Sequence, residues 1–213
     1  MEELKRIAER VEKGKHLEVP EEVRKALEKG IPPYDILING LQAGLAAIGE
    51  RFKRDECFIP EVLLAARAMH AGIDLLRPLL AEAKTEPMAK IVLGTVKDDL
   101  HDIGKNMVGM MLEGSGFRVI DVGVNVPAEK FAETIEREGA SLLAMSALLS
   151  TTMPYLKTTI DVLKEKGIRD KVKVLVGGAP VTEEYAMTVG ADGFAPDAAR
   201  AVDKAKELLN IRS

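Results

Sequence analysis

The chain has 213 residues, 46% of them hydrophobic and 30% charged, with a formal net charge of −4 and a pI near 5.6. That length suits two small domains with buried cores, and the acidic balance lacks the basic stripe that a nucleic-acid or anionic-membrane partner would need. No leader pattern and no apolar run long enough to cross a bilayer is found, so a cytoplasmic protein is expected; the single cysteine, Cys57, excludes an internal disulfide, and three histidines, His16, His70 and His101, make a structural zinc site hard to assemble.

Up to residue 84 the pattern is helical. Helices are expected over 2–13, over 21–29 with Gly30 as the stop, over 34–52 opened by Pro32-Pro33, and over 60–83, the last kinked or ended at Pro78. Short connections imply an antiparallel four-helix bundle over 1–84. The polar stretch Lys84-Thr85-Glu86-Pro87 reads as a linker, and from 88 to 213 the pattern alternates. Strands at 90–95, 117–122, 142–146, 172–176 and 193–195 interleave with helices near 103–113, 128–138, 153–166, 182–189 and 197–209. The strand cores are continuous apolar runs, which means both faces are covered and the sheet is parallel. Five such repeats predict an α/β, doubly wound sheet, Rossmann-like and of the flavodoxin-like order 2-1-3-4-5.

Three loops at the carboxyl edge of that sheet carry unusual chemistry. Asp99-Leu100-His101-Asp102-Ile103-Gly104 follows the first strand, at the edge where ligands of open α/β folds bind. A spacing of two in an extended loop lets Asp99 accept the Nδ1 proton of His101, which fixes the tautomer and leaves Nε2 as a base or a metal ligand. The third strand runs out through Ser146-Ala147-Leu148-Leu149-Ser150-Thr151, and the fourth through Gly177-Gly178-Ala179-Pro180, where absent side chains let a ligand approach the backbone. Taken singly, a His–Asp loop pair is commonly structural, a serine run commonly caps a helix, and Gly-Gly commonly turns the chain. Strands 1, 3 and 4 are neighbours in the expected order, so the three loops converge on one crevice.

What is missing narrows the ligand. The first loop has no G-x-G-x-x-G and is acidic where a pyrophosphate would sit, which disfavours a nucleotide. Asp98-Asp99 would suit magnesium in a phosphoacceptor receiver, but Ser146 and the Phe194-Ala195-Pro196 corner stand where that site needs an aspartate and a lysine. A hydrolase would need a nucleophile elbow, and none is present.

Asp99-x-His101-x-x-Gly104, then Ser146-x-Leu148, then Gly177-Gly178, resembles the cobamide-binding signature of methionine synthase and of the small corrinoid proteins of anaerobic methyltransferase systems. The 45-residue step from His101 to Ser146 is similar to the family's own. The likeness extends forward, because Gly40-Leu41-Gln42-Ala43-Gly44, Ile48-Gly49-Glu50-Arg51-Phe52 and Phe58-Ile59-Pro60 look like the helical cap of methyl-carrying members.

The resemblance implies a cobamide (cobalamin or a related corrinoid) bound base-off, with His101 as the lower axial ligand of cobalt through Nε2. It implies that Asp99 holds Nδ1–H and that Ser146 hydrogen-bonds Asp99, so that these three carry the ligand control. Asp102, Ile103, Gly104, Leu148, Ser150, Thr151, Gly177 and Gly178 would line the cofactor's slot, and Phe58 would shield its upper face from a cap over 1–84, leaving 88–213 as the cobamide-binding domain. The implied function is methyl carriage, non-catalytic by itself, between a substrate-specific methyltransferase and an acceptor methyltransferase acting on tetrahydrofolate or a thiol, with a reductive activase as further partner. A cobamide-dependent mutase subunit, a cobamide sensor and a non-cobamide interaction protein remain as alternatives. Bundle core is the plainer reading of Phe52, helix boundary or solvent that of His70, an unactivated thiol that of Cys57, and adaptable core that of Met107, Met110 and Met111.

Overall fold

The computed structural model describes residues 2–82 and 87–211, and the chain divides into two units, Met1–Glu86 and Pro87–Ser213. The first is helical because its apolar residues recur every three or four positions. α1 (Glu2–Glu12) buries Ile7 and Val11, and α2 (Val19–Glu28) buries Val19, Val23 and Ala26. The two residues that flank α2 pair with α1, Lys29 with Glu3 and Glu18 with Arg10.

The stretch expected as one helix over 34–52 is α3 (Pro33–Ile36), a π-helical turn (Leu37–Gln42) and α4 (Ala43–Lys53) in unbroken succession. Gly40 and Gly44 face α1 there. A Cβ on Gly40 would lie a tight 3.1 Å from Ile7 Cγ2, and one on Gly44 would strike the Ala8 carbonyl oxygen, so the approach requires glycine at 44. α5 (Ile59–Glu82) stays helical through Pro78, and its regular part does not end there. Pro78 and Asp74, whose carbonyl loses its N–H partner to the proline, are both exposed, so water replaces the missing donor. The expected helix end at Ala83 and the linker residues Lys84, Thr85 and Glu86 lie outside the described residues. Among the described residues, no helix is long and apolar enough to cross a membrane.

The second unit is an all-parallel sheet of order β2-β1-β3-β4-β5. In chain order it runs β1 (Lys90–Thr95), α6 (Ile103–Gly114), β2 (Arg118–Asp121), α7 (Ala128–Glu138), β3 (Leu142–Ser146), α8 (Pro154–Glu165), β4 (Lys173–Gly177), α9 (Glu183–Val189), β5 (Gly193–Phe194) and α10 (Ala198–Leu208). β1 is buried from Ile91 onward, as an uninterrupted apolar strand between two helical layers must be. Phe131, Leu143, Leu156, Ile160 and Val174 form the core under α7 and α8, while Met107 and Met111 are buried on α6. The register sets Thr95 beside Ser146 and Ser146 beside Gly177. The last residues of the three central strands therefore stand in one row at the carboxyl edge.

Candidate functional site

Beyond that row the chain after β1 is tied down at once. The buried Thr95 hydroxyl donates to the His101 carbonyl at 2.8 Å, and Val96 forms an isolated parallel bridge with Val126. Between these ties lies Asp99, fully buried, with a hydrogen-bond donor on every side. Its Oδ1 accepts the His101 N–H at 3.1 Å and faces His101 Nδ1 at 2.7 Å. Its Oδ2 accepts the Leu148 N–H at 2.7 Å and the Thr152 hydroxyl at 2.7 Å. Burial by itself would push this carboxyl up. The bonds from Leu148, Thr152 and His101 outweigh it and hold the pKa at about 2.

An ionised Asp99 accepts only, so the proton of the contact sits on His101 Nδ1, and in the neutral imidazole Nε2 carries the lone pair. The His101 side chain is 47% exposed, which leaves that lone pair open to a ligand. Around it Leu100 (71% exposed), Ile103 (67%), Leu148 and Leu149 offer apolar side chains to solvent at the same edge. Gly104, in the first turn of α6, would meet nothing within 4 Å if it carried a Cβ. Internal packing gives no reason for glycine there, where it costs the helix about 1 kcal/mol relative to alanine; open room beside the histidine does. Among the described residues no group of three His, Cys, Asp or Glu side chains is placed to hold a metal ion. A metal accepting one imidazole nitrogen here must bring its remaining ligands with it, as a macrocycle does, and the apolar side chains and the open glycine suit one.

The remaining expected residues are placed as follows. Ser146 does not reach Asp99: the hydroxyl on Oδ2 belongs to Thr152. Ser146 closes β3 beside Thr95, and its carbonyl accepts the Val96 N–H at 3.0 Å. The chain must run on past Ala147 and turn through 149–153 before a hydroxyl comes back over the buried carboxylate. Thr152 is locked in that turn by Leu149, whose N–H lies 3.3 Å and whose carbonyl lies 2.9 Å from its Oγ1. Its sequence signal was the hydroxyl run itself, which extends one residue past Thr151. Ser150 and Thr151 are exposed, and Asp102 stands at the N-terminus of α6, where Asn106 Nδ2 donates to it at 3.2 Å.

Gly177 and Gly178 have a reason within the fold as well. A Cβ on Gly177 would lie 2.7 Å from the Ala195 carbonyl oxygen, and one on Gly178, at φ +129°, would strike that of Ala147. Phe58 belongs to the helical unit, 75% exposed just ahead of α5, with its N–H on Glu61 Oε2 at 2.8 Å. Cys57 is buried beside the Ile48 carbonyl, and burial pushes its thiol up, away from reactivity.

A doubly wound sheet that presents one aspartate-oriented imidazole beside apolar side chains defines a cofactor-holding α/β module. Residues 89–203 match the family model described as B12 binding domain, and residues 3–77 match a second model of the same description. The dimethylamine corrinoid protein of Methanosarcina barkeri is 46% identical over 194 residues, covering 91% of this chain and 89% of that one. Two solved structures are similar over the whole length. A cobalamin-binding protein from Desulfitobacterium hafniense has a TM-score of 0.81 at 33% identity, covering 96% of this chain and 98% of that one. The methanol:cobalamin methyltransferase complex of Methanosarcina barkeri has a TM-score of 0.87 at 29% identity, covering 100% of this chain and 81% of the matched one. The chain belongs to the B12-binding corrinoid proteins, and its cofactor is a corrinoid.

Proposed function

We propose that this protein is a methyl-carrying corrinoid subunit, which holds a cobamide base-off with His101 Nε2 as the lower axial ligand of cobalt and offers it in turn to two methyltransferases. The observation that carries this reading is the Asp99–His101 contact, an exposed imidazole whose Nε2 is kept as a lone pair by a fully buried, ionised carboxylate. When bound, the cobamide supplies the methyl-transfer chemistry, which no side chain here can perform. The protein supplies the rest. His101 donates its Nε2 lone pair and Asp99 keeps the proton on Nδ1. Thr152 and Leu148 hold Asp99 in place. Leu100, Ile103, Leu148 and Leu149 exclude water around the ligand nitrogen, and Gly104 leaves room for the cofactor's displaced tail, with Asp102, Ser150, Thr151, Gly177 and Gly178 along the same edge.

The same proposal assigns residues 1–84 as the cap and 88–213 as the cobamide-binding domain, with Phe58, an exposed aromatic, as the shield of the methyl-bearing face. The names of the dimethylamine relative and of the methanol:cobalamin methyltransferase complex support a substrate-specific methyltransferase as first partner. The second is an acceptor methyltransferase acting on tetrahydrofolate or a thiol, and a reductive activase restores the carrier after oxidation. The site of action is the cytoplasm. The test is transfer of an isotopically labelled methyl group from a donor to the loaded protein by the methyltransferase encoded beside it, followed by its release to an acceptor. Label retained on the protein without release of cofactor supports carriage. No labelling with any neighbouring methyltransferase favours a sensor or mutase role instead.

A further inference from the structure

The turn that leads into α8 delivers two hydroxyls, three residues apart, to two consecutive carboxylates. Thr152 reaches Asp99, as described. Tyr155, whose N–H bonds the Thr152 carbonyl at 3.1 Å, places its hydroxyl 2.5 Å from Asp98 Oδ2. Asp98 is held from its other side as well, because its N–H donates to Asn125 Oδ1 at 2.8 Å, while the Asn125 N–H donates to the Asp99 carbonyl at 2.9 Å. The Lys97 ammonium stands 5.8 Å from the centre of the Tyr155 ring.

These contacts surround a strained point. Asp98 has φ +63° and Asn125 has φ +54°, in the left-handed region that side chains other than glycine seldom occupy. Such a conformation persists only when the surroundings over-determine it. Here that conformation decides where the next residue points: it turns the chain so that Asp99 lies against the segment leaving β3, where Leu148 and Thr152 receive it and where it meets His101.

We propose that Tyr155, acting through Asp98, is a positioning residue for His101, the outer half of a two-hydroxyl clamp whose inner half is Thr152. Its hydroxyl bonds Asp98 and not the ligand imidazole. It fixes the backbone that aims Asp99, and Asp99 fixes the tautomer. The inference rests on the reading of His101 as the cobalt ligand for its functional meaning, and on the geometry alone for the clamp. Tyr155 packs its ring against the core under α8, so a phenylalanine keeps the packing and removes only the hydroxyl.

The experiment uses the full chain in two forms. In cofactor-free protein labelled with 15N-histidine, at about pH 8.5, where an ordinary imidazole is neutral, long-range 1H–15N spectra report the His101 tautomer. Wild type is expected to show a protonated Nδ1 and an unprotonated Nε2, and in Tyr155→Phe the two nitrogen shifts move toward each other. In the second form, hydroxocobalamin binding to Tyr155→Phe weakens by about five- to tenfold, less than the full worth of one hydrogen bond to a charged group because the hydroxyl acts on His101 only through Asp98 and Asp99. Asp98→Ala loses the acceptor and is strained at φ +63°, so it shows the same defect; the double variant is no worse, and Asp98→Asn, which keeps both acceptor and backbone, gives wild-type shifts and binding. Wild-type shifts and wild-type affinity in Tyr155→Phe overturn the clamp, as does an Asp98→Ala protein indistinguishable from wild type. If wild type itself fails to hold a cobamide through His101, the functional reading falls, while the cofactor-free spectra still decide the clamp.

Discussion

Replacing Asp99 by asparagine keeps the shape of a fully buried side chain and changes what its four donors meet. The carboxylate takes the His101 N–H and Nδ1–H on one oxygen and the Leu148 N–H and Thr152 hydroxyl on the other. An amide offers one oxygen and one NH2. With its oxygen toward His101, the NH2 faces the fixed Leu148 N–H; Thr152 can turn its hydroxyl to the Leu149 carbonyl at 2.9 Å, but Leu148 cannot turn. With its oxygen toward Leu148, the NH2 faces the fixed His101 N–H, and Nδ1 becomes an acceptor only by moving the imidazole proton to Nε2. Either way one buried N–H is left without a partner, at about 1–3 kcal/mol, and the remaining bonds lose their charge, at roughly a further 1–2 kcal/mol together. Asp99→Asn should therefore cost about 2–5 kcal/mol of stability, read by urea denaturation of the cofactor-free chain. It should also weaken cobamide binding by 10- to 100-fold, as loss of a ligand's orienting partner does. A stability change under about 1 kcal/mol would refute this hydrogen-bond accounting.

Thr152→Val removes one bond to an ionised carboxylate and should destabilise the chain by about 1–2 kcal/mol, whereas Ser146→Ala should stay within about 0.5 kcal/mol; the reverse ranking by thermal or urea denaturation would restore Ser146 to the position the sequence suggested. Asp99 has a folded pKa of about 2 against an ordinary 3.8, so its contribution is present above the ordinary value and lost as pH falls toward the folded one. Between about pH 5 and pH 2 wild type should lose about 2 kcal/mol more stability than Asp99→Asn, and parallel acid profiles would argue against the shift. Gly104→Ala should fold as well as wild type, or up to about 1 kcal/mol better, yet bind a cobamide more weakly. Gly178→Ala should destabilise the fold by about 3 kcal/mol or more, because its Cβ has no place beside the Ala147 carbonyl. Denaturation and cobamide titration of the two variants separate ligand room from internal packing.

The sheet was legible because its strands are uninterrupted apolar runs closed by glycines and prolines, and because parallel strands joined by helices have few windings to choose from. The spacing of two between Asp99 and His101 was enough to bring them together. What escaped the sequence was decided by tertiary contact. Leu37-Ile38-Asn39-Gly40-Leu41-Gln42 carries no local mark that separates a π turn from an α turn; the fit of Gly40 on Ile7 and of Gly44 on Ala8 goes with it. Pro78 is tolerated inside α5 on an exposed face, where the Asp74 carbonyl it frees is open to solvent. The hydroxyl run from Ser146 to Thr152 held the right answer, but the turn over 149–153 selects the member, not the distance from His101. Gly177-Gly178 reads as room for a ligand, while the Ala195 and Ala147 carbonyls already require both glycines.

Electron paramagnetic resonance of the cobalt(II) protein reveals whether His101 Nε2 ligates cobalt. Full-length protein with natural-abundance nitrogen, reconstituted with an unlabelled cobamide, should show three-line 14N hyperfine splitting. Protein grown on 15N-histidine should show two lines, and His101→Ala should lose the protein-derived splitting altogether. Three lines that persist in the 15N-histidine sample would place the cofactor's own base on cobalt and rule out His101 as its ligand.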